Sequence, residues 1–95
     1  MTERVTWTEE AAAHMLRHGV TVTQANEAVN DPDAQWADPD PASKSGESVR
    51  VVGWSHTRVD IVTVILMHDG DDWAGVNGWP TKSGRDRTAY RKANP

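Results

Sequence analysis

Val22, Ala25, Ala28 and Val29 fall on one face of a helix, whereas Asp60 to His68 is almost unbroken β-branched and aliphatic sequence. The chain therefore changes from helical to extended patterning along its length. Thr8 to His18 reads as a first helix: Thr8 caps it, Glu9 and Glu10 sit where the helix dipole favours acids, and Ala11, Ala12, Ala13 and Leu16 are strong formers. Gly19 is placed as its left-handed stop, with Val20 free to pack back on Met15. Thr21 and Gln24 have capping-box spacing for a second helix, which Asp31-Pro32 ends. Gln35 to Ala37 is a short strand anchored by Trp36, and Asp38 to Ser48, with Pro39 and Pro41, reads as a mobile loop. Val49 to Trp54, Asp60 to His68 and Trp73 to Trp79 are strands; the second should be covered on both faces, and Asp69-Gly70-Asp71 turns it into the third. Pro80 closes the last strand, and Ser83 or Gly84 opens a final helix, Arg85 to Lys92. The pattern predicts a single α+β domain over 1–95: two N-terminal helices, a four-stranded antiparallel sheet whose first strand is short, and a C-terminal helix.

Charge changes this picture. Residues 76–95 hold five bases (Lys82, Arg85, Arg87, Arg91, Lys92) and one acid, Asp86, for a net of +4. Residues 1–75 hold five bases and thirteen acids, a net of −8, which together give the −4 of the whole chain. An acidic body with a basic end points to a local anion site; with a pI near 5.4, sequence-specific binding to duplex DNA is disfavoured. There is no cysteine, so no disulfide or thiolate metal site arises. The longest apolar run, Ile61 to Met67, is interrupted by Thr63, and no charged-then-apolar leader is seen; the expectation is a cytoplasmic protein without a membrane span.

On a helix, Arg87 and Arg91 are four apart and Tyr90 lies three beyond Arg87, so all three share a face. Guanidinium groups bind phosphate bidentately, and a neighbouring phenol donates a hydrogen bond or transfers a proton. The alternative is a solvated helix whose bases complement its own dipole and the acidic body. Arg50 projects opposite to Val49 and Val51, toward the anion site if that face meets the last helix, or otherwise to an acid such as Asp60. Asn77, a polar amide inside an apolar strand, calls for a buried partner or a ligand. Of five tryptophans, Trp7, Trp36 and Trp73 are assigned to packing, while Trp54 and Trp79 end strands near the presumed site and offer stacking surfaces for bases. His14 and His18 share a helix face, but without a third ligand they are read as no metal site, His18 instead favouring the helix C-terminus.

Trp7-Thr8-Glu9-Glu10-Ala11-Ala12 through His18-Gly19-Val20 resembles the opening of BrnT-like toxins, small proteins of the RelE-type superfamily in bacterial type II toxin–antitoxin pairs. The likeness continues through Asp31-Pro32, the Asp-Pro loop, Val51-Val52-Gly53 with Ser55, and Arg85-Asp86-Arg87…Tyr90, and so spans about Val5 to Arg91. Order and spacing carry it more than any single motif. It implies a RelE-like fold and a ribonuclease, ribosome-linked or ribosome-independent, that halts translation without metal or cofactor. It also implies a cognate antitoxin as partner, with a homodimer or a toxin–antitoxin heterotetramer as assemblies, and messenger RNA as substrate. Arg87 and Tyr90 match family positions well and Arg85 matches a basic one, while Asp86 stands where glutamate is common.

Two departures bear on chemistry. Gly78-Trp79-Pro80 replaces a Ser-Ala-Arg type sequence, removing a base, and an arginine expected earlier on the first long strand falls opposite Ser48. Arg50, on the same face two residues later, is its substitute. The expected site is thus catalytic Arg50, Arg87 and Tyr90, with Arg85, Arg91, Asn77, Trp79 and Trp54 for RNA or phosphate. The alternative is a non-catalytic interaction module of the same fold that binds a basic partner such as an antitoxin.

Overall fold

Two threonine caps begin the helices. Thr8 Oγ1 accepts from the Ala11 amide at 3.0 Å, and α1 runs Glu9–Leu16. Thr21 and Gln24 exchange bonds of 3.2 and 3.3 Å, and α2 runs Val22–Val29. Between them Gly19 takes φ +83°, and the Val20 amide returns to the Met15 carbonyl with both side chains fully buried. The computed structural model describes residues 2–93.

The strands are β1 (Val5–Thr6), β2 (Gln35–Ala37), β3 (Ser48–Ser55), β4 (Asp60–Asp69) and β5 (Asp72–Pro80), followed by α3 (Gly84–Ala93). They form one sheet in the order β1-β5-β4-β3-β2. The α+β expectation is met, but the four-stranded antiparallel sheet is corrected to five strands of mixed sense. The added edge is β1, parallel to β5 with Val5 opposite Trp73, and held where Trp73 N donates to the Arg4 carbonyl. Two residues are too few to show a strand period, so β1 had no signal of its own. The β4–β5 loop is Gly70-Asp71, with Gly70 at φ +62°, the sign a type II′ turn requires at its first central residue.

One sheet face meets α1 and α2. Val49, Val51, Val62, Val64 and Leu66 pack there against Met15, Val20, Ala25, Ala28 and Val29. Each of the valines, the leucine and the methionine contributes about 1.5–3 kcal/mol on full burial. Trp7 joins them with its indole N–H on Asn26 Oδ1 at 2.9 Å. On the opposite face Val52, Ile61, Thr63 and Ile65 are also buried, so β4 is covered on both sides from Ile61 to Leu66. The polar interruption at Thr63 is satisfied by the Thr81 hydroxyl at 2.9 Å. The segment read as a loop from Asp38 carries an anchor: Asp40 is buried, its amide bonds the Ser48 carbonyl and its Oδ1 holds the Ala42 amide.

Helix α2 approaches β3 closely at Gly53, where a Cβ would lie 2.0 Å from the Ala28 carbonyl oxygen. Backbone cannot yield as a side chain does, so Gly53→Ala is expected to cost about 3 kcal/mol in urea unfolding. A stability equal to wild type would mean that this helix–strand approach is wrong.

Candidate functional site

Helix α3 starts with the Ser83 hydroxyl accepting from the Asp86 amide and lies over the sheet face opposite α1 and α2. Register puts the sheet residues named from sequence on that face: Arg50 pairs with Ile65, which pairs with Asn77, and Val52 leads through Thr63 to Trp79. Trp54, opposite Ile61, completes the row. Arg50, Arg87 and Tyr90 thus do meet one face of the protein.

They do not meet in one pocket. Arg50 and Arg85 line a cavity of about 420 Å³ together with Gln35, Trp36, Val52 and Asp86. Arg87, Tyr90 and Arg91 line a second, of about 190 Å³, with Trp54, Asp60 and Ile61. Asn77 and Trp79 line neither. Asn77 finds its partner locally, accepting from the Gly78 amide at 2.9 Å beside the bulge that β5 makes between its pairings to Ile65 and Leu66.

Each group expected to do chemistry is met by a carboxylate. Arg50 bonds Asp40 at 3.2 Å and Asp86 at 3.3 Å, with its Nε buried and unpartnered. The sequence alternative of Asp60 as its partner is replaced: Asp60 instead takes Arg87 at 3.0 Å, while a second Arg87 nitrogen donates to the Thr81 carbonyl at 2.8 Å. Tyr90 donates to Asp31 Oδ2, which also accepts the Trp54 amide at 2.8 Å. Asp31 and Asp40 read in sequence as a helix stop and a loop residue; no local signal marks them as ion or hydrogen-bond partners across the fold. By contrast, Arg85 and Arg91 form no salt bridge among the described residues. The uncommitted charge of the two cavities therefore rests on those two arginines.

These contacts shift titrations. Burial, then the Asp31 hydrogen bond and charge, push the Tyr90 phenol well above its ordinary value of 10. Burial raises Asp31, but bonds from Tyr90 and the Asp33 and Trp54 amides outweigh it, leaving the carboxyl below its ordinary value. Asp60 behaves alike: burial opposes, and the Ile61 amide and Arg87 bring the carboxyl down on balance. Tyr90 is thus a neutral donor at neutral pH.

His14 and His18 touch edge to face at 5.7 Å, and no cluster of potential metal ligands occurs among the described residues. No helix among them is long and apolar enough to cross a membrane. Neither the known protein-family models nor the curated proteins include a match to this chain.

Tyr90 is the chain's single tyrosine, so its ionisation can be read directly. Phenolate absorbance should stay absent through pH 10 in the folded protein and appear in Asp31→Asn at lower pH; ordinary titration of the wild type would remove the Tyr90–Asp31 bond. The lowered carboxyls predict the acid side. A carboxyl depressed in the folded state stabilises above its unfolded value and loses that contribution as pH falls through its folded value. The thermal midpoint should therefore drop as pH falls below about 4, and less steeply in a double Asp31→Asn, Asp60→Asn variant.

Proposed function

We propose that this protein is the toxin component of a type II toxin–antitoxin pair, a BrnT-like, RelE-type ribonuclease that inhibits translation without a metal. The observation that carries this reading is the gathering of Arg87, Arg91, Tyr90, Trp54 and Asp60 around one cavity. Trp54 offers a ring for a base, and Arg87 with Arg91 offers two guanidinium groups for a phosphodiester. In the reaction the ribose 2′-hydroxyl attacks the adjacent phosphorus and the bond to the 5′-oxygen breaks. A 2′,3′-cyclic phosphate and a 5′-hydroxyl form, with the proton passing in net from the 2′- to the 5′-oxygen. Arg87 and Arg91 stabilise the charge that builds on the phosphate oxygens, and Asp60 accepts the 2′ proton once Arg87 turns from it to the phosphate. Tyr90 turns its single hydroxyl proton from Asp31 to the phosphate or its flanking ribose and orients it there. Arg50 and Arg85, which share the other cavity, hold the RNA backbone on one side of the reacting phosphate. Messenger RNA is the substrate class, and the antitoxin is the protein that blocks the site.

The pairing of Arg50, Arg87 and Tyr90 with carboxylates favours a second reading, in which the same fold is a non-catalytic module that binds a basic partner. Cleavage separates the two. Purified protein incubated with RNA in the presence of a chelator should yield cyclic-phosphate ends, and induced expression in a bacterial host should stop growth. Arg87→Ala combined with Tyr90→Phe should lower cleavage by about 100-fold or more and restore growth. Normal growth with abundant soluble wild-type protein and intact RNA would sink the ribonuclease and leave the binding module.

A further inference from the structure

On the sheet face away from α3, three aromatic rings run outward beyond the helix-covered core. His68 and Trp73 are cross-strand partners with ring centroids 4.5 Å apart, and Trp73 lies 5.3 Å from Trp36. Trp36 pairs with Val51 and so shares this face, but it is 39% exposed, which corrects its assignment to packing; Trp73 is half-buried against the core. The rings carry acids at their polar edges. Glu3 accepts the Trp73 indole N–H at 3.0 Å, and Asp38 meets His68 Nε2 at 2.9 Å. Beside His68 a cavity of about 420 Å³ opens, with Asp38 and Glu47 on its wall. Asp69 and Asp72, the next pair along the hairpin, alternate to the other face of the sheet, while Arg4 and Lys44 are the bases of the flanking segments.

We infer that Trp36, Trp73 and His68, rimmed by Asp38, Glu3 and Glu47, form a docking site for an arginine side chain of a basic, extended protein segment. A guanidinium lies flat against an indole face and is drawn to its ring quadrupole. Its N–H groups then reach the carboxylates at the ring edges, which supply the charge such a ligand needs. Exposed tryptophan surrounded by a polar rim is also the composition of an interface anchor. Stacked RNA bases would use the same rings, but the acids around them repel phosphate. The site stands apart from the ribonuclease reading, since it lies on the other sheet face and survives whether or not the chain cuts RNA.

The full chain should be titrated with a flexible arginine-rich peptide and, as control, the same peptide with citrulline in place of arginine. Binding at low salt should shift the indole N–H resonances of Trp36 and Trp73, and the citrulline peptide should leave them unmoved. Trp36→Leu keeps every charge and should weaken binding at least about fivefold in calorimetry, with circular dichroism unchanged. Asp38→Asn should weaken it too, and supplies the test should Trp36→Leu unfold. The proposal is overturned if Trp36→Leu binds as wild type, if the citrulline peptide binds equally, or if self-association buries Trp36. A uridine oligonucleotide shifting these indoles in place of the peptide would overturn it as well.

Discussion

No side chain of α3 is buried, so what fixes this helix against the sheet is a set of polar contacts. Asp86 reaches Arg50, Arg87 reaches Asp60, and Tyr90 reaches Asp31. The residues that dock the helix are thus the residues that would meet a phosphate. Under the proposed function, docking and ligand binding would compete for the same donors. Magnitudes decide how hard that competition is. Arg87 and Asp60 are both about a third exposed or more, and pairs of that kind contribute only about 0–1 kcal/mol. In the proposed reading, a phosphodiester that accepts two guanidinium bonds would displace such a carboxylate. Arg50 is held more firmly, because its partner Asp40 is itself buried.

The rest of the sheet is built to bring that face into place. Gly53, Gly75 and Gly78 let Ala28, Trp7 and Met15 approach the strands directly, so α1 and α2 fill one side without large side chains from β3 and β5. Glu27 then binds the turn after β3, accepting from the Ser55 and Thr57 hydroxyls at 2.8 Å and the Thr57 amide at 3.0 Å. That turn contains Val59 at φ +60°, a conformation a β-branched residue adopts only under constraint. With one face closed by helices, the other is left for β3 arginine, tryptophan and the closing helix.

Local chemistry made most of the elements legible. The capping box at Thr21, the left-handed Gly19 and the Gly70 turn are short-range devices that the chain must spell out in adjacent residues. β4 was legible for another reason: a strand covered on both faces cannot hide its composition. The candidate site was legible only in part. Helical spacing put Arg87, Tyr90 and Arg91 together, and alternation put Arg50 on the face opposite Val49 and Val51, without saying that this face meets α3. Their carboxylate partners were not, because Asp31 precedes Tyr90 by 59 positions and Asp60 precedes Arg87 by 27. Nothing in either neighbourhood distinguishes a pairing acid from a solvated one. Trp36 failed for the same reason: its exposure depends on where the helices end over the sheet, a tertiary fact.

The split of charge along the sequence also takes spatial form. The basic helix covers one face of the sheet, and the aromatic cluster with its acids lies on the other. One short segment touches both. Asp38 meets His68 in the aromatic cluster, and Asp40, two residues on, meets Arg50 beside α3. Pro39 between them leaves little slack in the backbone. The two aspartates therefore tie one short segment to both faces, Asp38 through an exposed imidazole and Asp40, itself buried, through the arginine that Asp86 of α3 also holds. Because the buried half of the Arg50 pair sits on this segment, the loop fixes the side of the sheet that α3 covers as much as it closes the other.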